Sequence, residues 1–370
     1  MATSIGRAAT RDRVVIAGAG IMGASIGYHL ARRGARVTIV EKERPGAGAT
    51  QNSFAWINAT FSKQPRSYFE LNLAGIAGWR RLSLEFGSEL QIQWGGSVEW
   101  AAPGDGARKL LASVRYHEAW GYPTRLIDAA SMASLFPAVS PGPVGAACFS
   151  EIEGTLDPMH ALNVLLARAR AAGAEVQHPC EVTGISISGG RVKAVETTQG
   201  SMEADYFVIA AGTGSTRLAR MAEVHVPLKE SPGALAHTRP LKRLLDHVAL
   251  APGATIKQNP DGRIVTGTDF GGSPVTEATR EYGMMLLGNA RRFLPALESA
   301  ELETTTLGHR VLPLDEYPIV GFTGRCPNLY IAAMHSGITL SPLIGQLAAM
   351  EILDGADVDL LKPYRPSRFA

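Results

Sequence analysis

The chain has 370 residues, 45% of them hydrophobic, and a formal net charge of +2. That length can bury the cores of two domains, and the balanced charge supplies no field to draw the chain to nucleic acid or an anionic membrane. Cys148, Cys180 and Cys326 lie far apart without CxxC or metal-ligand spacing, which argues against a disulfide framework or a metal centre and for a reducing, cytoplasmic setting.

Residues 1–12 are rich in Ala, Thr, Ser and Arg and lack an apolar core segment. They read as a flexible tail rather than a signal peptide. No run of 18 apolar residues follows that would span a membrane. The first ordered unit opens with the apolar run Val14-Val15-Ile16-Ala17, then Gly18-Ala19-Gly20-Ile21-Met22-Gly23, a helical pattern to Arg33, and a second apolar run, Val37-Thr38-Ile39-Val40, that ends on Glu41 and Lys42. Strand, glycine turn, helix, strand and acid in this order make a dinucleotide-binding unit. The first glycine permits the tight turn, the second lets backbone approach a pyrophosphate, and the third lets helix pack on strand. The helix N-terminus offers N–H groups and partial positive charge to phosphates, and Glu41 is placed to accept from a ribose.

The glycine-rich polar stretch from Arg44 to Ser53 follows, with Ala49, Thr50, Gln51, Asn52 and Ser53 at its end; such a segment makes a loop close to a ligand. Apolar spacing at Phe69, Leu73, Ile76 and Trp79 predicts a helix from Arg66 to Phe86. Short strands are expected at Ile92–Trp94 and Ser97–Trp100, with a helix over about 104–120. Asp157-Pro158 is a good helix start, and that helix should stop near Gly173. Strands are expected at Glu175–Gln177, Val182–Ile187 and Val192–Thr197, with a hairpin at Gly189-Gly190, and a buried strand runs from Tyr206 towards Ala211-Gly212. Strands and turns alternate over 224–307, with a turn at Asn259-Pro260-Asp261-Gly262 and a helix over about 276–293. A strand at Asn328–Ala333 and a helix at Pro342–Leu353 close the chain, with Met334–Ser341 as the loop between them.

Five blocks in this order resemble the flavin-dependent oxidoreductases of the D-amino acid oxidase superfamily, which includes glycine oxidase, sarcosine oxidase and D-amino acid dehydrogenases. They are the glycine turn with Glu41; Gly48–Ser53; Gly154-Thr155-Leu156-Asp157-Pro158; Val208–Gly212; and Gly308-His309-Arg310-Val311-Leu312-Pro313 leading to Pro318–Gly321 and His335-Ser336-Gly337. The resemblance covers the chain from about Val14 to Leu353. It implies a mixed α/β (α+β) fold, with a Rossmann-type FAD-binding domain (13–90, 151–223 and 308–370) interleaved with a sheet-based substrate domain (91–150 and 224–307). It also implies FAD, bound through the glycine turn, Glu41, Lys42, Ala49–Ser53, Val182, Ala211, Gly212 and His335-Ser336-Gly337-Ile338-Thr339.

The activity implied is oxidation of the C–N bond of an amino acid or N-alkyl amino acid to an imine, by hydride transfer to flavin N5, followed by hydrolysis. A 2-hydroxy acid or polyol-phosphate dehydrogenase, and a flavoprotein subunit that needs a partner, remain alternatives. Neither the histidine nor the cysteine that tethers flavin in some relatives has a counterpart here, so the FAD is expected to be noncovalent. Arg310 occupies the arginine position of the family's G-x-R-P motif, with Val311 where the proline would be, and a planar guanidinium suits a substrate carboxylate. The alternative for Arg310 is a structural ion pair. His335 either tunes the flavin or touches substrate, or it packs against the ring as a loop histidine with no proton role. Arg239, Lys257 and Arg263 are weaker candidates for the substrate anchor that read first as surface charges, and Trp56, Tyr68, Trp94 and Trp100 are candidates for the pocket wall that read first as core aromatics. Gly262–Gly267 lacks the lysine that sarcosine oxidases use with oxygen. The acceptor is therefore left between O2 and a quinone or electron carrier. A small-molecule substrate is the partner expected, and a homo-oligomer is compatible with the sequence.

Overall fold

The structure, a computed structural model, describes residues 12–60, 63–268 and 275–370; the expected tail lies outside them up to residue 11. The chain divides into two compact units, one of residues up to Gln51, Met159–Glu230 and Arg310–Ala370, the other of Asn52–Pro158 and Ser231–His309.

The first unit is built on a six-stranded sheet ordered Ile319–Phe322, Leu329–Ala333, Tyr206–Ile209, Arg13–Ala17, Arg36–Val40 and Glu175–Gln177. Five strands are parallel and the outermost, Ile319–Phe322, is antiparallel to its neighbour. The inner strands are continuous apolar runs because both faces are covered. The helix Ile21–Ala31 is buried at every residue, which explains its lack of a polar stripe. Its partner is the helix Gly337–Asp354. Ser25 Oγ donates to Ser341 O at 2.7 Å, a Cβ on Gly345 would fall 2.3 Å from Ser25 Oγ, and Arg33 reaches Ala349 O and Asp354. Contacts that advance together along both helices mean that the two run side by side in one direction.

The sequence places that second helix from Pro342, but it begins five residues earlier. Proline removes the N–H that would bond to Ile338 O. Ser341 Oγ donates to that carbonyl at 3.2 Å instead, so the helix continues through Pro342. The strands Val182–Ser188 and Arg191–Thr197 pair as expected, with Gly189 and Gly190 both at positive φ, 60° and 71°.

The second unit is an eight-stranded sheet ordered Leu302–His309, Pro232–Thr238, Ile264–Gly267, Ala254–Gln258, Val248–Ala251, Ser97–Ala101, Ala146–Ser150 and Thr124–Leu126. One face packs under the helix Arg280–Arg291, shorter than the expected 276–293, through Ala236, Ile256, Ile264, Leu286, Leu287 and Ala290. The other carries Leu235, Val248, Leu250 and Val265 against Phe54 and Trp56. Ile92–Trp94 makes only a single bridge, Gln93 to Thr155, rather than a strand.

Residues 52–90, grouped by the sequence with the first domain, fall in the second unit. The reason is a carboxylate. Glu153 is fully buried and accepts from Trp56 Nε1 at 2.9 Å, Thr60 Oγ1 at 2.8 Å, Ser97 Oγ at 2.6 Å and Tyr122 OH at 2.8 Å. A buried carboxylate is tolerated when its lone pairs are filled, and here filling them ties segment 54–60 to the sheet. Phe69 adds ring contacts to His117, Trp120 and Tyr122.

Candidate active site

The glycine turn is clamped at its first and third glycines. Gly18, at φ 105°, donates its N–H to Val40 O at 2.8 Å, and a Cβ there would meet Ala210 O at 2.5 Å. A Cβ on Gly23 would fall 1.9 Å from Gly18 O. The third glycine is therefore required by the turn itself, and Ile16 is only its third neighbour, at 3.5 Å. Gly20 differs: among the described residues its only near atom is Thr50 Oγ1, at 3.2 Å from an added Cβ. Ala19, Ile21 and Met22 complete the turn and the helix start, whose N-cap residue Gly20 has no side chain to cap it.

The loop after Glu41 folds back on this turn. Glu41 Oε2 accepts from Ala19 N–H at 3.0 Å and Oε1 from Glu43 N–H at 3.1 Å, so two backbone donors set its orientation. Thr50 is buried, and its Oγ1 accepts from Ile21 N–H at 3.1 Å. Gln51 donates to Ala47 O at 2.7 Å and accepts from Arg44, whereas Lys42 pairs with Glu43 at the surface. Ala49 lies in the turn between them.

Three neighbouring parallel strands bring the other residues to the same sheet edge. Strand Arg13–Ala17 delivers the glycine turn, Tyr206–Ile209 delivers Ala211 and Gly212, and Leu329–Ala333 delivers His335 to Thr339. Ser336, at φ 58°, is the residue before the helix, which again lacks a side-chain cap. Because the two helices run in parallel, their N-termini open at one edge. That edge, outside the carboxyl ends of the strands, is where open α/β sheets bind ligands. The residue after Arg310 reaches this edge: Val311 Cγ2 is 3.5 Å from a Cβ built on Gly212. Leu312-Pro313 then pairs with Leu228-Lys229. Arg310 and His335 are each half-buried.

Not every candidate joins this set. Asn52 and Ser53 belong to the second unit, where Gly308 lacks a side chain because its Cβ would fall 2.6 Å from Asn52 Cβ, and Ser53 Oγ accepts from Ala55 N–H at 3.0 Å. Val182 is buried in the core with Val15 and Val40. Trp56, Tyr68 and Trp100 are core residues; Trp94 is half-buried with the Arg80 guanidinium 3.7 Å from its ring centroid. Arg239 pairs with Glu301, and Arg263 with Asp261 and Glu303, as surface charges do.

Lys257 corrects its sequence reading. It is 1% exposed and donates from Nζ to Leu156 O at 2.6 Å, with the Phe54 ring beside it. Burial pushes its amine down to about 7, against the opposing pull of Asp157 and Asp261. The unfolded chain holds this proton up to the ordinary lysine value. From about pH 7 to that value the unfolded state therefore binds more protons, and stability rises with pH. We expect Lys257→Met to remove a rise of roughly 1.4 kcal/mol per pH unit, read by urea unfolding at pH 7, 8 and 9. A stability difference between the two proteins that stays constant with pH would contradict this.

A family model described as DAO, FAD dependent oxidoreductase, matches residues 13–350. The chain belongs to the FAD-dependent oxidoreductase family. Glycine oxidase of Geobacillus kaustophilus is 28% identical to it over 349 residues, 92% of this chain and 92% of that protein. The crystal structure of glycine oxidase from Geobacillus kaustophilus superposes with a TM-score of 0.88 at 25% identity, covering 96% of this chain and 99% of that one. The bifunctional protein ThiO/ThiG of Synechocystis sp. is 26% identical over 375 residues, 97% of this chain and 54% of that protein, so the chain spans about half the length of this relative. The family's cofactor fits the residues present. Around Gly20 there is clearance for a close backbone approach, and Glu41 is held by the adjoining backbone. The starts of the two helices bring partial positive charge to phosphate and to an anionic ring edge. Among the described residues no helix is long and apolar enough to cross a membrane, and no group of His, Cys, Asp and Glu could hold a metal ion.

Proposed function

We propose that this flavoenzyme oxidises the C–N bond of an amino acid or N-alkyl amino acid to an imine that water then hydrolyses, with FAD held noncovalently. The observation that carries this reading is the pair of parallel helices whose N-termini open at one sheet edge, with Val311, the residue after Arg310, against Gly212 at that edge. Its support from relatives is the likeness to glycine oxidase along nearly the whole chain. The residues assigned to FAD are Gly18–Gly23, Glu41, Lys42, Ala49–Gln51, Ala211, Gly212 and His335–Thr339, all in the first unit. FAD supplies the acceptor for the two electrons and the hydrogen that leave the substrate carbon.

The chain supplies the rest. The start of the Gly337 helix stabilises negative charge through backbone N–H groups, which need no proton exchange. Arg310 takes the substrate carboxylate in two parallel charge-assisted bonds and so orients the amine-bearing carbon. His335 adjoins the helix start and is assigned to contact cofactor or substrate.

The test mixes the purified yellow protein, without oxygen, with D-, L- and N-methyl amino acids and with 2-hydroxy acids. Bleaching of flavin absorbance by amino acids and not by hydroxy acids is expected. Bleaching by hydroxy acids alone would move the reaction to C–O oxidation. Acid precipitation should leave the flavin in the supernatant, and flavin in the pellet would show a covalent link.

A further inference from the structure

Arg368 lies in the short helical segment Pro366–Phe369 and Arg365 in the link that joins it to Asp359–Tyr364, outside every motif singled out from the sequence. The two side chains reach different parts of the first unit. Arg365 pairs with Glu351, which is only 2% exposed, and also bonds to Asp357. Glu351 sits on the helix Gly337–Asp354 and accepts from Tyr330 OH at 2.7 Å, on the strand that leads to His335. Arg365 therefore ties together the strand and helix on either side of His335. A Cβ on Gly321, at φ 129°, would fall 2.6 Å from its Nη1, so the sheet edge is shaped to admit this arginine.

Arg368 reaches the loop that follows Arg310. Its Nε and Nη2 donate to the two oxygens of Asp315 at 2.8 and 3.1 Å, and Nη2 also donates to Tyr317 O at 3.0 Å. Asp315 Oδ1 in turn accepts from Tyr317 N–H at 3.1 Å. Between them Glu316 holds φ 72°, a conformation costly for a residue with a side chain. Such a turn persists only when its surroundings over-determine it, and the planar fork of Arg368 does so. Leu314 N–H, bonded to Pro227 O at 3.1 Å, and the pairing of Leu312-Pro313 with Leu228-Lys229 carry the restraint back towards Arg310.

We propose that Arg368 is a positioning residue for substrate recognition: it fixes the loop that presents Arg310, while Arg365 in the same segment fixes the elements that present His335. The inference rests on Arg310 as the carboxylate anchor. A small misplacement of a binding group is enough to weaken recognition substantially.

The test compares R368A, R368K, D315N and R310A on an amino acid and on its decarboxylated amine, with flavin content and melting temperature recorded for each. R368A is expected to raise KM for the amino acid about tenfold, with kcat within about twofold and amine kinetics unchanged. D315N, which breaks the same contact from the other side, should reproduce the effect, and R368K should rescue it in part. Adding R368A to R310A should cost nothing further on the amino acid. Equal slowing of both substrates, or a lower melting temperature with unchanged KM in R368A and D315N, would show a purely structural clasp and overturn the proposal. R310A that slows both substrates equally removes the anchor reading and this inference with it. R310A that discriminates beside R368A and D315N that do not removes this inference alone.

Discussion

Gly23→Ala should yield a chain that retains no FAD. The added methyl would sit 1.9 Å from Gly18 O, far inside any contact distance. Neither side can yield cheaply. Gly18 is tied to Val40 O through its N–H and is pressed against Ala210 O, while the helix that carries Gly23 is buried at every residue. Relief requires the turn to open, and the turn is the surface that a pyrophosphate would approach. Flavin absorbance of the purified protein and an FAD titration measure the outcome, with a loss of affinity of about a hundredfold or more expected from a displaced turn. Gly20→Val guards against simple misfolding. Its Cβ meets only Thr50 Oγ1, at 3.2 Å, so the fold should survive while the clearance for cofactor is filled. A yellow Gly20→Val protein with full flavin content would place the cofactor elsewhere.

Arg310→Ala should lower kcat/KM for the amino acid by about 30- to several-thousand-fold and leave FAD binding intact. Losing one partner of a desolvated charge pair costs roughly 2–5 kcal/mol, and each 1.36 kcal/mol is about a decade in rate. Arg310→Lys should recover part of the loss, because an ammonium keeps the charge but not the two parallel bonds. The deciding comparison is with the decarboxylated amine, which should be indifferent to the change. If both substrates slow by the same factor, Arg310 does not read the carboxylate. The anchor cannot then pass to Arg239 or Arg263, which already neutralise Glu301, Asp261 and Glu303.

Much of the fold is legible in the sequence where the cause is local. The turn after Ala17 needs glycines, the hairpin at 189–190 needs two residues at positive φ, and the helix Arg66–Phe86 is carried by its apolar spacing. Glu41 is legible because the distance from the glycine turn to the end of the next parallel strand is set by one helix and one strand. The site at the sheet edge is legible in parts, as five separate blocks, without the geometry that joins them.

Tertiary structure decided the remainder. Lys257 reads as a surface charge because lysine usually is one; only the pairing of three strands and the Leu156 carbonyl turn it inward. The helix start at Gly337 is hidden by Pro342, whose missing hydrogen bond is supplied by the adjoining Ser341. Residues 52–90 join the second unit because Glu153, almost a hundred positions from Trp56, collects four donors. Arg365 and Arg368 give no sign of reaching the elements around Arg310 and His335. Turns and periodicity depend on neighbours in the chain and so are written in it locally. Which buried polar group finds which partner is settled only when distant segments meet, since a desolvated charge must be satisfied by whatever the fold brings within reach.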